Sequence, residues 1–279
     1  MKIGLCPSGT KLAALGYVPI IATYLEKSGV DVFIDKERAG ASDLPPIEEN
    51  IPIDIFITIG GDGTLLYFKQ KYRSREEAFF TAVNVGRLGF LADVNASKIE
   101  EYLDDLISGN FSVEHRIMLE VTTPKGAVYP IINDVVFHRG AIRNMILLKV
   151  KIDGDDFNLF QADGLIISTP TGSSAYSLAS GGPLMHHKLH AIVITPICPH
   201  TLTSRPFVLP SESVISVEPI TPPAPIDVVV DGLHSFTITE KELTTITLSQ
   251  SHFKLISYPK RTNFYSTVRT KLHWSGKSA

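Results

Sequence analysis

The run Ile55-Phe56-Ile57-Thr58-Ile59-Gly60-Gly61-Asp62-Gly63-Thr64-Leu65-Leu66 limits the fold more than any other stretch of the chain. A β-branched and aromatic run leads into a glycine-dense turn, and an apolar helix start follows at once. Strand, tight turn and helix in that order are half of a βαβ unit, whose strands lie parallel beneath covering helices. The same texture surrounds it. Short apolar runs at Lys2 to Cys6, Val30 to Ile34, Asp54 to Ile59 and Phe79 to Val85 read as strands. Between the first two, Leu12, Leu15, Tyr24 and Leu25 fit one helix face ending at Gly29, and Pro19 is expected to kink that helix. Ser97 and Glu100 have capping-box spacing. Ile99, Leu103, Leu106 and Ile107 then supply an apolar stripe that Gly109 closes.

From Phe111 to about Lys254 the texture changes to short alternating runs, with Val113, Ile117, Leu119 and Val121 on one parity. Pro124-Lys125-Gly126, Asp153-Gly154 and Asp231-Gly232 are the turns of hairpins, and the proline-rich stretch Pro219 to Pro225 reads as a loop. The expected architecture is an α/β N-terminal domain over residues 1–110 and a larger, β-rich, sandwich-like domain over 111–254. The tail, 255–279, carries a few apolar anchors including Trp274.

Composition narrows the class of partner. A hydrophobic content of 44%, 20% charged residues and a net charge of -3 suit a globular chain and disfavour a nucleic-acid partner. The N-terminal apolar run is too short for a secretory signal and no stretch has the length of a membrane span, so a cytoplasmic address without a membrane partner is expected. Cys6 and Cys198 lack neighbours at metal or redox spacing and are expected to be reduced core thiols.

The glycine turn sits at the carboxyl end of a strand, where ligands of open parallel sheets bind, and its backbone N–H groups and the next helix N-terminus suit phosphate. Asp62 opposes that electrostatics unless it has a task, either as a base or on a metal; the bland alternative is a turn residue capping the helix. No lysine followed by serine or threonine makes this a Walker loop, and the spacing is not the Rossmann fingerprint. Gly60-Gly61-Asp62-Gly63-Thr64 resembles the phosphate loop shared by NAD kinases, lipid kinases of the diacylglycerol and sphingosine type, and more distantly phosphofructokinases.

The stretch from Gln161-Ala162-Asp163-Gly164 through Thr169-Pro170-Thr171-Gly172-Ser173-Ser174-Ala175-Tyr176-Ser177 to Gly181-Gly182-Pro183 is the most specific in the chain. It resembles the long glycine- and serine-rich motif of NAD kinases of the bacterial type. Val83 to Phe90, Asn133-Asp134-Val135-Val136 and Thr195 to His200 match the same family in the same order. The resemblance implies transfer of the γ-phosphoryl group of ATP, carried with Mg²⁺, to the adenosine 2′-hydroxyl of NAD, in a crevice between the two domains. It implies Asp62 as catalytic base, a phosphate loop of Gly60, Gly61, Gly63 and Thr64, and no side-chain metal site. It implies contact with NAD from Asp62, Gly63, Phe90, Asn133, Asp134, Asp163, Ser174, Ala175, Tyr176, Ser177, Leu178 and Ala179. Subsidiary contacts fall at Asn144 and Gln161, where relatives carry histidine and a basic residue, and at Leu233 or His234. Asp134 stands where most of the family has glutamate. The tail is expected to return to the first domain, and the family assembles as homodimers or homotetramers.

His186, His187 and His190 lack the acidic or cysteine complement of a zinc site and read as a solvated polar face. His138-Arg139 reads as a surface pair. The rival functions are a lipid or sugar kinase with the same loop and a non-catalytic dinucleotide sensor.

Overall fold

The computed structural model describes residues 1–86, 89–92, 94–140, 144–220, 225–258 and 263–274. The chain divides into two compact units, Met1–His115 with Phe253–Ala279, and Arg116–His252.

In the first unit, β1 (Lys2–Pro7), α1 (Leu12–Lys27), β2 (Asp31–Ile34), β3 (Ile55–Gly60), α2 (Asp62–Lys71), β4 (Phe79–Asn84), β5 (Val94–Asn95) and α3 (Ile99–Ser108) follow one another. The strands pair in parallel in the order β2-β1-β3-β4. Every residue of β3 is buried, as a central parallel strand requires.

The stripe of α1 is Ala14, Val18, Ile21, Ala22 and Leu25, and the helix runs on through an exposed Pro19. Leu12, expected on that stripe, is 88% exposed. The true face begins on a small alanine, which carries little weight in a hydrophobicity pattern. The Ser97–Glu100 capping box is also absent. Ser97 sits inside a short 3-10 turn whose cap is Asn95, and its amide and hydroxyl both donate to Asn95 Oδ1, at 3.0 and 2.9 Å. Gly109 ends α3 at φ 74°, the left-handed cap expected of it.

Helix α2 is fixed at both ends. Leu65, Leu66 and Phe68 bury its inner side, and at its far end fully buried Asp35 accepts from Tyr72 Oη at 2.6 Å and pairs with Lys71 Nζ at 2.8 Å. The glycine turn therefore stands on a helix that cannot slide.

The second unit holds most of β6 (Ser112–Thr122), then β7 (Val128–Ile131), β8 (Asp134–His138), β9 (Ile146–Ile152), β10 (Asp155–Ala162), β11 (Gly164–Ser168), the one-turn α4 (Tyr176–Ala179), β12 (Ala191–Ile197), β13 (Phe207–Pro210), β14 (Ile215–Pro219), β15 (Ile226–Val230), β16 (His234–Ile238) and the start of β17 (Thr244–Ser257). One antiparallel sheet runs β13-β12-β11-β8-β15-β16, and β10-β9-β14-β17 form another. Val135, Phe137, Leu165 and Ile167 of the first share one core with Leu148, Val150, Val217 and Ile246 of the second, which is a sandwich.

The three hairpin turns fall where glycine and aspartate placed them. Gly126, the Asp153-Gly154 pair and the Asp231-Gly232 pair all have positive φ. Pro219, expected in a loop, is instead the last residue of β14, and residues 221–224 of the expected loop lie outside the described residues. The tail forms α5 (Phe264–Lys271), buried through Thr267 and Val268, while Trp274, expected as an anchor, is 64% exposed. Cys6 is buried, with its thiol pushed well up by burial, but Cys198 is exposed and so is not a core thiol. Among the described residues no helix is long and apolar enough to cross a membrane.

Candidate active site

Strand β3 ends at Gly60, and α2 begins two residues later at Asp62. Gly61 N–H reaches Thr64 Oγ1 at 3.4 Å and Thr64 N–H donates to the Gly61 carbonyl at 2.9 Å, closing the turn. Glycine is required at 60, where a Cβ would stand 2.6 Å from Thr64 Cβ.

Asp62 does not cap its helix. Its carboxylate turns to the loop after β4, where Oδ2 accepts from Phe90 N–H at 2.8 Å and Oδ1 from Leu91 and Ala92 N–H at 3.1 and 2.8 Å. That loop is braced in turn, since Asn84 Nδ2 donates to the Ala92 carbonyl at 2.9 Å and Gly89 N–H to the same oxygen at 3.0 Å. A carboxylate offers about four lone-pair sites. Among the described residues three backbone donors leave one open, and it lies on Oδ2. Gly63 is exposed and Phe90 half-buried.

A cavity of about 550 Å³ opens beside this turn, lined by Ser8, Gly9, Thr10, Lys11, Arg38, Gly61, Gly63, Thr64, Tyr67 and Phe68. Two cations enter it that sequence reasoning missed. Lys11 follows β1, and its Nζ would lie 3.7 Å from a Cβ at Gly61 and 3.2 Å from one at Gly86, so the ammonium rests over the glycine turn. Among the described residues it makes no hydrogen bond or ion pair. Arg38 comes from the turn after β2. The available signal was position, because both follow the carboxyl end of a parallel strand next to β3 or one strand away.

In the second unit a cavity of about 410 Å³ is lined by Asn133, Asp134, Val136, His138, Ala175, Tyr176, Asp227, Val229, Asp231 and Gly232. Four of the expected ligand residues, Asn133, Asp134, Ala175 and Tyr176, come together there. Asp231 builds the wall. Its carboxylate accepts from the backbone N–H of Ile132, Asn133 and Asp134 at 2.9, 2.7 and 3.1 Å. Asn133 and Asp134 are thereby fixed, yet Asn133 Oδ1 is buried with no partner and the Asp134 carboxyl, in a residue 6% exposed, has no hydrogen bond among the described residues. Burial, and secondarily the charge of Asp231, push that carboxyl up to about 7.

The remaining expected contacts scatter. Ser177 is fully buried and spends its hydroxyl on Thr195 Oγ1 at 2.9 Å, and a Cβ at Gly182 would collide with that pair. Ser174 bonds the Thr171 carbonyl at 3.2 Å, Leu178 is half-buried and Ala179 exposed. Asp163 pairs with Arg139 at 3.3 Å, while His138 Nδ1 accepts from Gly140 N–H and its residue lines the cavity. Asn144, Gln161 and Leu233 are exposed outside the lining, and His234 lies against Tyr129 at 5.6 Å between rings. His186 and His187 stack at 4.4 Å, and no cluster of three or more metal-ligating side chains occurs among the described residues.

An acid in a glycine turn beside a cavity that two cations line suits phosphoryl transfer, and the chain is a phosphotransferase. The ATP-NAD kinase N-terminal domain matches residues 45–111 and the ATP-NAD kinase C-terminal domain residues 132–258. The NAD kinase of Protochlamydia amoebophila is 37% identical over 99% of both chains, and that of Chlorobaculum tepidum 34% identical over 99% of this chain and 98% of its own. The chain belongs to the NAD kinase family. Two solved structures share the fold: yeast NADH kinase complexed with NADH, at 24% identity and TM-score 0.90 over 100% of this chain and 89% of that one, and an Archaeoglobus fulgidus NAD kinase in complex with ATP, at 23% identity and TM-score 0.80 over 98% and 99%.

Proposed function

We infer that the chain transfers the γ-phosphoryl group of ATP to the adenosine 2′-hydroxyl of NAD, giving NADP and ADP. The observation that carries the mechanism is the Asp62 carboxylate, held by three backbone donors with one lone pair of Oδ2 left open. That lone pair takes the 2′-hydroxyl proton as the O2′–P bond forms and the bond from phosphorus to the bridging oxygen of ADP breaks. Peptide N–H groups of the turn, the N-terminus of α2 and Lys11 meet the triphosphate charge.

The Asn133–Asp134 cavity suits the adenosine of NAD. Ribose hydroxyls and the adenine amino group are the donors that Asp134 and Asn133 Oδ1 lack, and Tyr176 offers a ring face. The shorter Asp134 keeps the acid of the family's glutamate at a smaller reach.

Mg²⁺ suits a site of this kind, since it binds through one or two carboxylates and the substrate's own phosphates. The substrate's own phosphates would hold the ion, which would offset their charge when bound, and the one open lone pair of Asp62 is kept for the proton.

The family resemblance also supports cytoplasmic residence and assembly as a homodimer or homotetramer, which fractionation and light scattering test. The activity itself is tested by a coupled assay for NADP. NAD is expected to be converted and its 2′-deoxyadenosine analogue to bind unconverted. Phosphorylation of a diacylglycerol, sphingoid base or sugar with no NADP made would sink the reading, and binding of NAD without turnover would leave a sensor.

A further inference from the structure

The loop that grips Asp62 is itself gripped from the C-terminal tail. Lys271, in the last turn of α5, places Nζ 4.6 Å from the centroid of the Phe90 ring. Phe90 is the residue whose N–H donates to Asp62 Oδ2, the oxygen with the open lone pair. The geometry points to Lys271 as a positioning residue for phosphoryl transfer, acting through Phe90 on the orientation of the Asp62 carboxylate. This rests on Asp62 being the base.

The helix is built to hold that ammonium in place. Asn263 caps α5 by accepting from Ser266 N–H at 2.9 Å, Thr267 and Val268 bury its inner side, and Leu272 and Trp274 N–H close its end on Val268 and Arg269 carbonyls. A lysine at a helix C-terminus is favoured by the axial dipole, and over a ring face it is held by the ring quadrupole. The ring cannot rotate or withdraw without losing that contact. Because Phe90, Leu91 and Ala92 donate to one carboxylate in succession, a shift of the ring's own peptide moves the oxygen that must face the hydroxyl. Pattern alone could not show this, since 180 residues separate Phe90 from Lys271 in the chain.

The test uses the full-length protein with Lys271→Met, Lys271→Arg, Phe90→Leu and the Phe90→Leu/Lys271→Met pair. Lys271→Met should lower kcat by roughly 3- to 30-fold, the span that a partly desolvated cation–π contact corresponds to. KM for ATP should stay within about twofold, since an interaction felt only in the transition state lowers kcat and kcat/KM together. Arginine, which also lies well on a ring face, should restore most of the rate. Amide hydrogen exchange of Phe90 to Ala92 should quicken in Lys271→Met and be restored in Lys271→Arg. Phe90→Leu keeps the backbone donor but removes the ring, so adding Lys271→Met to it should cost nothing more. A kcat for Lys271→Met equal to wild type would overturn the proposal. So would a large rise in KM for ATP, which would make Lys271 a direct phosphate contact, or a loss that arginine does not restore and that tracks a lowered Tm. Asp62→Asn, assayed alongside, separates the two readings: full activity there removes the base, whereas a collapse there with Lys271→Met intact removes only the positioning role.

Discussion

Gly89 lies so close to Asp62 that a Cβ on it would stand 2.7 Å from the carboxylate Cγ and 2.9 Å from the Ala92 carbonyl oxygen. Space by itself demands glycine there. The loop and the acid are shaped to each other.

Gly89→Ala should therefore displace the carboxylate, and a displacement near 1 Å can cost on the order of 10²-fold in rate. Gly86→Ala is the matched control. Its Cβ would stand 3.2 Å from the Lys11 ammonium, the far end of a flexible side chain that can step aside. Steady-state kinetics should show a collapse of kcat in the first variant, whereas the second, which moves Lys11 and not Asp62, should keep kcat near wild type and change KM for ATP at most. Equal rates in both would mean that the Asp62 loop does not set turnover.

Much of this was legible in the sequence, because glycines and apolar periodicity carry it. The β3–α2 junction, three hairpin turns, the left-handed cap at Gly109 and the change from α/β to β texture all rest on local chemistry that one chain displays. What escaped was set by tertiary partners. The face of α1 begins on Ala14 rather than Leu12, and Asn95, not Ser97, caps the approach to α3. At the site, the family resemblance put Asn133, Asp134, Ala175 and Tyr176 together, but could not tell that Ser177 turns inward to Thr195 or that Asp231, read as a turn, holds the cavity wall through three backbone N–H groups. Lys11 and Arg38 were invisible for another reason: each is one cation among many until the strand order brings β1 and the turn after β2 beside β3.

The buried Asp134 carboxyl gives a pH dependence with a definite sign. It titrates at about 7 in the folded protein against 3.8 as a reference, so between those values the folded state holds a proton that the unfolded chain has released. Its contribution is full below about pH 4 and is lost as pH rises through 7, with a slope of at most about 1.4 kcal/mol per pH unit. Urea unfolding from about pH 4.5 to about pH 8 should show wild type losing stability relative to Asp134→Asn across that window. Parallel curves would show that the carboxyl is not perturbed by folding.

The same cavity sets NAD affinity. Hydrogen bonds to a charged group are worth about 1.5–3 kcal/mol, so Asp134→Ala, measured at about pH 8 where the carboxylate prevails, should raise the NAD dissociation constant at least about tenfold. Asn133→Ala should weaken NAD as well, while neither should alter ATP binding at the glycine turn. Unchanged NAD constants in both variants would take the pair out of the site.

Asp62→Asn tests the chemistry most directly. Asparagine keeps the size and one acceptor oxygen but cannot take a proton, and general-base catalysis contributes typically about 10²–10⁴-fold. It also swaps an acceptor for an amide donor facing the N–H groups of Phe90, Leu91 and Ala92, so part of the loop must move to avoid opposed donors. Calorimetry separates the two effects. If the loss is chemical, NAD and ATP should bind nearly as in wild type while NADP formation falls by the stated factor; Asp62→Ala, which leaves the loop amides to water without opposing them, should fall as far. A shift in Mg²⁺ dependence in both variants would assign the carboxylate to the metal as well. Near-normal turnover in either would reduce Asp62 to a residue that ties a turn to a loop.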